Sequence, residues 1–258
     1  MRVAIGFFGI TRSLKYTIGS INKNILDVFN TNNIDYDVFM HTYYLDSYAN
    51  KRAGEKYENI DNNEYNLLNA DYLEIDNQDE IKKQLDLKKY RTHPDPWKTN
   101  YNSVDNYILA SYSKFQLTKM IEKTKNDYDY ILFMRPDCLY TYVLQLKFLK
   151  QATDSNIVIP NFSAWGKYCL NDRFAITNMK TYKIYGEVFT KLLELGKIQP
   201  LHSETILGEI IIHHKLKFSK IDDFKFHRIR NNGRLNRDYK DNRIKNKGTL
   251  IEHYIEYI

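Results

Sequence analysis

The chain has 258 residues, 43% of them hydrophobic, and a formal net charge of +6, which places it among globular proteins with a full core, built as one large domain or one domain with a lobe-like insertion. Its two cysteines, Cys138 and Cys169, exclude a disulfide framework and a zinc set and fit a reducing, cytoplasmic setting. The most apolar opening stretch, residues 3–10, is far shorter than the roughly 20 residues of a membrane span, and no small-residue cleavage site follows it, so a first strand is expected there rather than a signal segment.

Residues 2–8 read as that strand. Residues 13–30 follow as a helix, with Ile18, Ile21, Ile25, Leu26 and Phe29 at helical spacing and Ser13 available as its N-cap. After the turn-rich Thr31-Asn32-Asn33, a second strand at 36–40 completes a β-α-β unit, whose crossover should be right-handed. That arrangement predicts an α/β sheet with Gly9, Ile10, Thr11 and Arg12 at the same edge as His41, Thr42 and Tyr43.

Residues 46–102 differ in character, being polar and rich in Asn and Tyr, with one strand predicted at 71–75 and a short helix over 79–87. A loop over 91–102 carries Pro94, Pro96 and Trp97. Such loops often wall a substrate site, and Trp97 is either a sugar platform or a pin that fixes the loop to the core. A long helix is predicted over 105–125, a helix over 142–150, and a strand over 157–160. The apolar run 174–177 follows Asn171-Asp172, a helix over 179–195 is closed by Gly196, and a last helix (203–214) leads to a strand at 217–221. The remainder, from about 227 to 258, reads as a basic, Asn-rich extension ending in the apolar-polar alternation of 250–258.

Chemistry is expected at Tyr128-Asp129-Tyr130-Ile131-Leu132-Phe133-Met134-Arg135-Pro136-Asp137. Residues 131–134 form a continuous apolar run, the mark of a strand buried on both faces of a mostly parallel sheet. Pro136 cannot donate to the ladder, so pairing stops there. Arg135 and Asp137 are thereby left at the carboxyl end of a central strand, the edge of an open α/β sheet where ligands bind. The alternative is an Arg–Asp pair that only closes a turn.

Taken in order, Gly9-Ile10-Thr11-Arg12-Ser13, Tyr36-Asp37-Val38-Phe39-Met40-His41-Thr42, residues 128–137 and Asn171-Asp172-Arg173-Phe174-Ala175 resemble the lipopolysaccharide- and capsule-synthesis type of glycosyltransferase. The similarity covers roughly residues 1 to 215 and is specific through the combination of motifs rather than any one of them. It implies a GT-A-like fold over residues 1–258 with an insertion at about 46–102. It also implies a nucleoside-diphosphate sugar as donor, a UDP-sugar favoured, and a glycan acceptor. On that reading Gly9, Thr11, Arg12, His41 and Thr42 hold the nucleotide, while Arg135 and Asp137 face its diphosphate. Arg12 near a helix N-terminus agrees, because a cation there is unfavourable until an anion joins it.

Enzymes of this fold commonly present Asp-x-Asp to a Mg²⁺ or Mn²⁺ ion. Here the triplet is Arg135-Pro136-Asp137, in which a permanent cation replaces one carboxylate and leaves metal dependence open. If an ion binds, the resemblance points to Asp137 and His227 as ligands. As a strand-end carboxylate, Asp137 is expected to serve transfer and to contribute little to the core. Glu204 opens a helix at the usual place of the acceptor-side acid, and Asp172 is placed to meet donor sugar or acceptor; either could be the base.

A nucleotidyltransferase would share the nucleotide-binding edge, but Gly6-Phe7-Phe8-Gly9 is not its Gly-rich loop, nor a dinucleotide fingerprint or P-loop. A nucleic-acid-binding protein would use Arg228, Arg230, Arg234, Arg237, Arg243, Lys245 and Lys247, but Asp238 and Asp241 interrupt that run. No nucleic acid is expected. The same charges suit the donor diphosphate, an anionic acceptor or a membrane surface.

Overall fold

The computed structural model describes residues 1–241. Its strands are β1 (Arg2–Phe8), β2 (Asp35–Tyr44), β3 (Tyr48–Asn50), β4 (Glu55–Glu58), β5 (Tyr72–Asn77), β6 (Tyr130–Met134), β7 (Cys138–Tyr140), β8 (Asn156–Pro160), β9 (Ala175–Thr177), β10 (Lys217–Ile221), β11 (Phe226–Ile229) and β12 (Leu235–Asn236). The helices are α1 (Leu14–Ile21), α2 (Asp27–Thr31), α3 (Gln78–Leu85), α4 (Asn102–Thr124), α5 (Tyr182–Gly186), α6 (Leu192–Gly196) and α7 (Ser203–His213).

Seven strands form the main sheet in the order β10-β8-β9-β6-β1-β2-β5. All neighbours pair parallel except β9, which runs antiparallel to both β6 and β8. The fold is therefore α/β with a mostly parallel central sheet flanked by helices. Continuous apolar runs are what such a sheet requires, since both its faces are covered. Ile131 and Phe133 of β6 pack with Ile108, Leu117, Tyr185 and Leu207 on one face. Leu132 and Met134 point the other way, into Leu14, Ile21, Ile25 and Phe29. Gly6 lets α4 approach β1, because a Cβ there would sit 2.7 Å from Leu117.

Several expected elements change in the fold. Residues 13–30 are helical but pass through a wide π turn at Asn22–Leu26. Ser13 does not cap them, because its hydroxyl donates instead to the Ile229 carbonyl at 2.9 Å. β2 runs on to Tyr44, held by β1 and β5, so His41 and Thr42 lie inside a strand instead of on a loop beyond it. The helix expected at 142–150 shrinks to a 3-10 turn at Leu146–Gln151, and that at 179–195 breaks into α5, a 3-10 turn and α6. β7, β11 and β12 form a small separate sheet that the sequence did not announce. β5 lies within the polar segment 46–102 and completes the edge of the main sheet.

Candidate active site

β1 and β6 are neighbours at the centre of the sheet, with β2 continuing on one side and β9 on the other. The carboxyl ends of such strands are where open α/β sheets bind ligands. A cleft of about 570 Å³ opens there, with a pocket of about 140 Å³ beside it that shares Asn50, Asn106, Ala110, Arg135, Arg228 and Arg230 as wall. The larger volume is that of a small-molecule site.

Gly9 ends β1 with φ +100°, a backbone state that side-chain-bearing residues resist. Its N–H donates to Ser113 Oγ at 2.8 Å, tying the turn to α4. A Cβ at this position would meet open space, so Gly9→Ala should cost only the backbone strain, about 1–2 kcal/mol. The expected result is a lower urea midpoint with an unchanged m-value.

The turn after β6 builds an ion cluster. Arg135 donates to both oxygens of Asp137, from Nε and from a terminal nitrogen, each at 2.8 Å. Arg12 reaches the same carboxylate at 3.1 Å and Glu55 at 3.2 Å, and also meets the Tyr48 hydroxyl. Burial alone would raise the Asp137 pKa, but Arg135 and Arg12 outweigh it and hold the group far below the usual carboxylate range. Asp137 is 0% exposed, so its carboxylate meets the cleft only through Arg135, whose side chain keeps 23% exposure.

β11, paired to β7 just after that turn, and the turn that follows it supply Arg228 and Arg230 to the same walls. Arg228 is fixed by Asp238 at 2.6 Å, and Arg230 stands 3.8 Å from Glu55. Asp172 and Glu204 close the far side. The Ser203 hydroxyl donates to Glu204 at 2.5 Å. Arg173 lies 4.0 Å from Asp172 and 3.8 Å from Glu204. Burial, then the neighbouring Asp172 charge, pushes the Glu204 pKa up to about 7. Asp172 goes the other way: burial would raise it, but Arg173, Arg135 and Lys114 pull it below the normal range. Two carboxylates whose acidities are driven apart are the pattern of acid–base chemistry. Trp97 stacks on His202 at 5.2 Å, and Trp165, 60% exposed, stands at the mouth. Trp97 thus both pins its loop and lines the cleft.

Of the residues singled out in the sequence, the cleft and its side pocket bring together Gly9, Arg12, Arg135, Asp172 and Glu204. Thr11, His41 and Thr42 are buried away from these walls. His41 is held between Ser113 at 2.8 Å and Asp76 at 3.1 Å, as a residue inside β2 must be. His227 stacks on Tyr239 at 4.1 Å and accepts the Asp238 N–H, while Asp137 has both oxygens on guanidinium groups. Among the described residues no group of three His, Cys, Asp or Glu could hold a metal ion. A divalent ion needs oxygen ligands that are not already taken, and both Asp137 oxygens here accept from guanidinium groups. The sequence reading missed Asn106, Tyr107, Arg52 and Arg173 as wall residues. Only Arg173, adjoining Asp172, carried a sequence signal.

Four arginines of the basic run lie within the described residues. Arg228 and Arg230 line the cleft, Arg234 donates to the Ala53 carbonyl and Arg237 to that of Asp241. They close a site rather than form an open stripe for a duplex. Arg243, Lys245, Lys247 and the alternation at 250–258 lie outside the described residues. No helix among the described residues is long and apolar enough to cross a membrane.

No protein-family model and no curated protein matches the chain. Among solved structures, it is similar to the galactosyltransferase LgtC crystallised with donor and acceptor sugar analogues, at 9% identity and a TM-score of 0.47, over 85% of this chain and 73% of that one. A glycosyltransferase involved in glycosylation of the major capsid of PBCV-1 gives 8% identity and 0.40, over 86% and 80%. Mouse xyloside xylosyltransferase 1 gives 12% and 0.40, over 86% of each chain.

Proposed function

We propose that this chain is a glycosyltransferase that moves a sugar from a nucleoside-diphosphate sugar to a glycan or glycoconjugate acceptor. The observation that carries the reading is one cleft holding both halves of the chemistry. Arginines able to meet a diphosphate and a carboxylate pair with divided acidities line the same cleft. The ordered sequence motifs support the same class. Arg135 neutralises donor phosphate, positioned from behind by Asp137. Glu204, near neutrality in its proton affinity, takes the proton of the acceptor hydroxyl, and Asp172 stays ionised beside it. Trp165 and Trp97 offer flat faces to sugar rings.

Calorimetry against UDP-, GDP- and dTDP-sugars tests the reading. Saturable binding by one nucleotide class is expected, with UDP-sugars favoured. Binding by none of them sinks it and returns the choice to the nucleotidyltransferase and nucleic-acid alternatives.

A further inference from the structure

We propose that the donor diphosphate is gripped by a clamp of three guanidinium groups, Arg135, Arg228 and Arg230, which takes over the work a divalent cation does in metal-dependent transferases. The inference rests on the nucleotide-sugar reading above and adds how that donor is held.

Placement comes first. These three side chains belong to the walls of both the large cleft and the side pocket, so they stand where the two meet. A donor that laid its nucleoside on one side and its sugar on the other would pass its diphosphate between them. Each guanidinium is also braced from behind: Arg135 by Asp137 at 2.8 Å, Arg228 by Asp238 at 2.6 Å and Arg230 toward Glu55 at 3.8 Å. A guanidinium has five N–H donors. Asp137 takes two from Arg135, which leaves the rest of that fork for a ligand. Braced, planar donors suit the bidentate recognition of phosphate oxygens.

The charge count then selects an anion. With Arg12, four buried or half-buried arginines share three carboxylates, Asp137, Asp238 and Glu55. One positive charge is left over at the junction. Burial, then Arg12 and Arg228, lowers the Arg230 pKa to about 10, the response of a cation crowded by its own kind. A diphosphate supplies the missing negative charge; a divalent cation would add to the excess. The strand-end carboxylate, Asp137, has both its oxygens on arginines.

The clamp also matches the reaction. As the acceptor oxygen bonds to the anomeric carbon, the bond from that carbon to the diphosphate oxygen breaks and its electron pair stays on the leaving diphosphate. The acceptor proton goes to the base. Charge therefore grows where the clamp already points, and no reorganisation is needed to meet it.

The test is calorimetric titration of the full chain with UDP and with inorganic pyrophosphate, first in EDTA and then with Mn²⁺. Both ligands are expected to bind in EDTA, with affinities that Mn²⁺ leaves unchanged. Arg135→Lys and Arg230→Lys keep the charge opposite Asp137 and Glu55 but lose the planar fork, and each should weaken both ligands about tenfold. Melting curves of the variants confirm that they fold. Binding that needs Mn²⁺ overturns the clamp and leaves the nucleotide-sugar reading standing. Pyrophosphate binding without any by UDP supports the clamp and removes the nucleotide. Unchanged affinities in both folded lysine variants also overturn the clamp.

Discussion

Replacing Asp137 by asparagine is expected to lower the melting temperature by about 10 °C, a loss of about 3–5 kcal/mol for a chain of this size. The cause lies in what the carboxylate holds. Arg12 and Arg135 both bond to it, and Arg12 and Asp137 are almost wholly withdrawn from water. An amide leaves two cations facing each other over a neutral group. The sequence reading, in which a strand-end carboxylate contributes little to the core, is corrected by this geometry. The pH dependence has a definite sign. Because the folded pKa is depressed, the contribution is present above the unfolded value near 4 and is lost as pH falls below it. Wild type should therefore melt progressively lower on acidification below about pH 4, and the variant should lose that part of the dependence. Melting curves between pH 3 and pH 7 check both points; a variant as stable as wild type would overturn this account of Asp137.

The sequence made the sheet legible where one force dominated. β6 falls at 130–134 as expected because a run of Ile, Leu, Phe and Met has no polar face to offer solvent. β1 and β8 followed for the same reason. The small sheet of β7, β11 and β12 was hidden because its pairing joins Cys138, Leu139 and Tyr140 to residues 226–228, and no local pattern records so distant a partner. The helix expected over 179–195 has the right apolar spacing, but it breaks beside Gly186, where a Cβ would clash with Thr118 of α4. The site divides along the same line. Arg135 and Glu204 were readable as candidates from their places after a strand and at a helix start, and Asp172 from its place just before a strand. What burial does to them was not: Arg12 against Asp137 and Asp172 against Glu204 are neighbours more than 30 residues apart in the chain.

Transfer should rise with pH through about 7, and Glu204→Gln should abolish that rise while cutting turnover by about 10²–10⁴-fold, the usual worth of a positioned general base. The folded pKa of Glu204 is raised by burial and by Asp172, so the group is protonated and idle at pH 6 and ionised at pH 8. Its charge opposes folding: the cost is absent below the unfolded pKa near 4.3 and fully present above the folded value. The Gln variant, which can keep the Ser203 hydrogen bond, should accordingly match wild-type stability at pH 4 and exceed it at pH 8. Loss of activity with gain of stability separates a catalytic base from a residue that merely supports the helix start. Asp172→Asn gives the second arm. Removing its charge takes away one of the two causes of the raised pKa, so the rising limb of kcat/KM should move to lower pH. If Asp172 were the base instead, its asparagine variant would lose turnover while Glu204→Gln kept it. Rate profiles of the two variants against wild type, with melting curves at pH 4 and pH 8, decide the assignment.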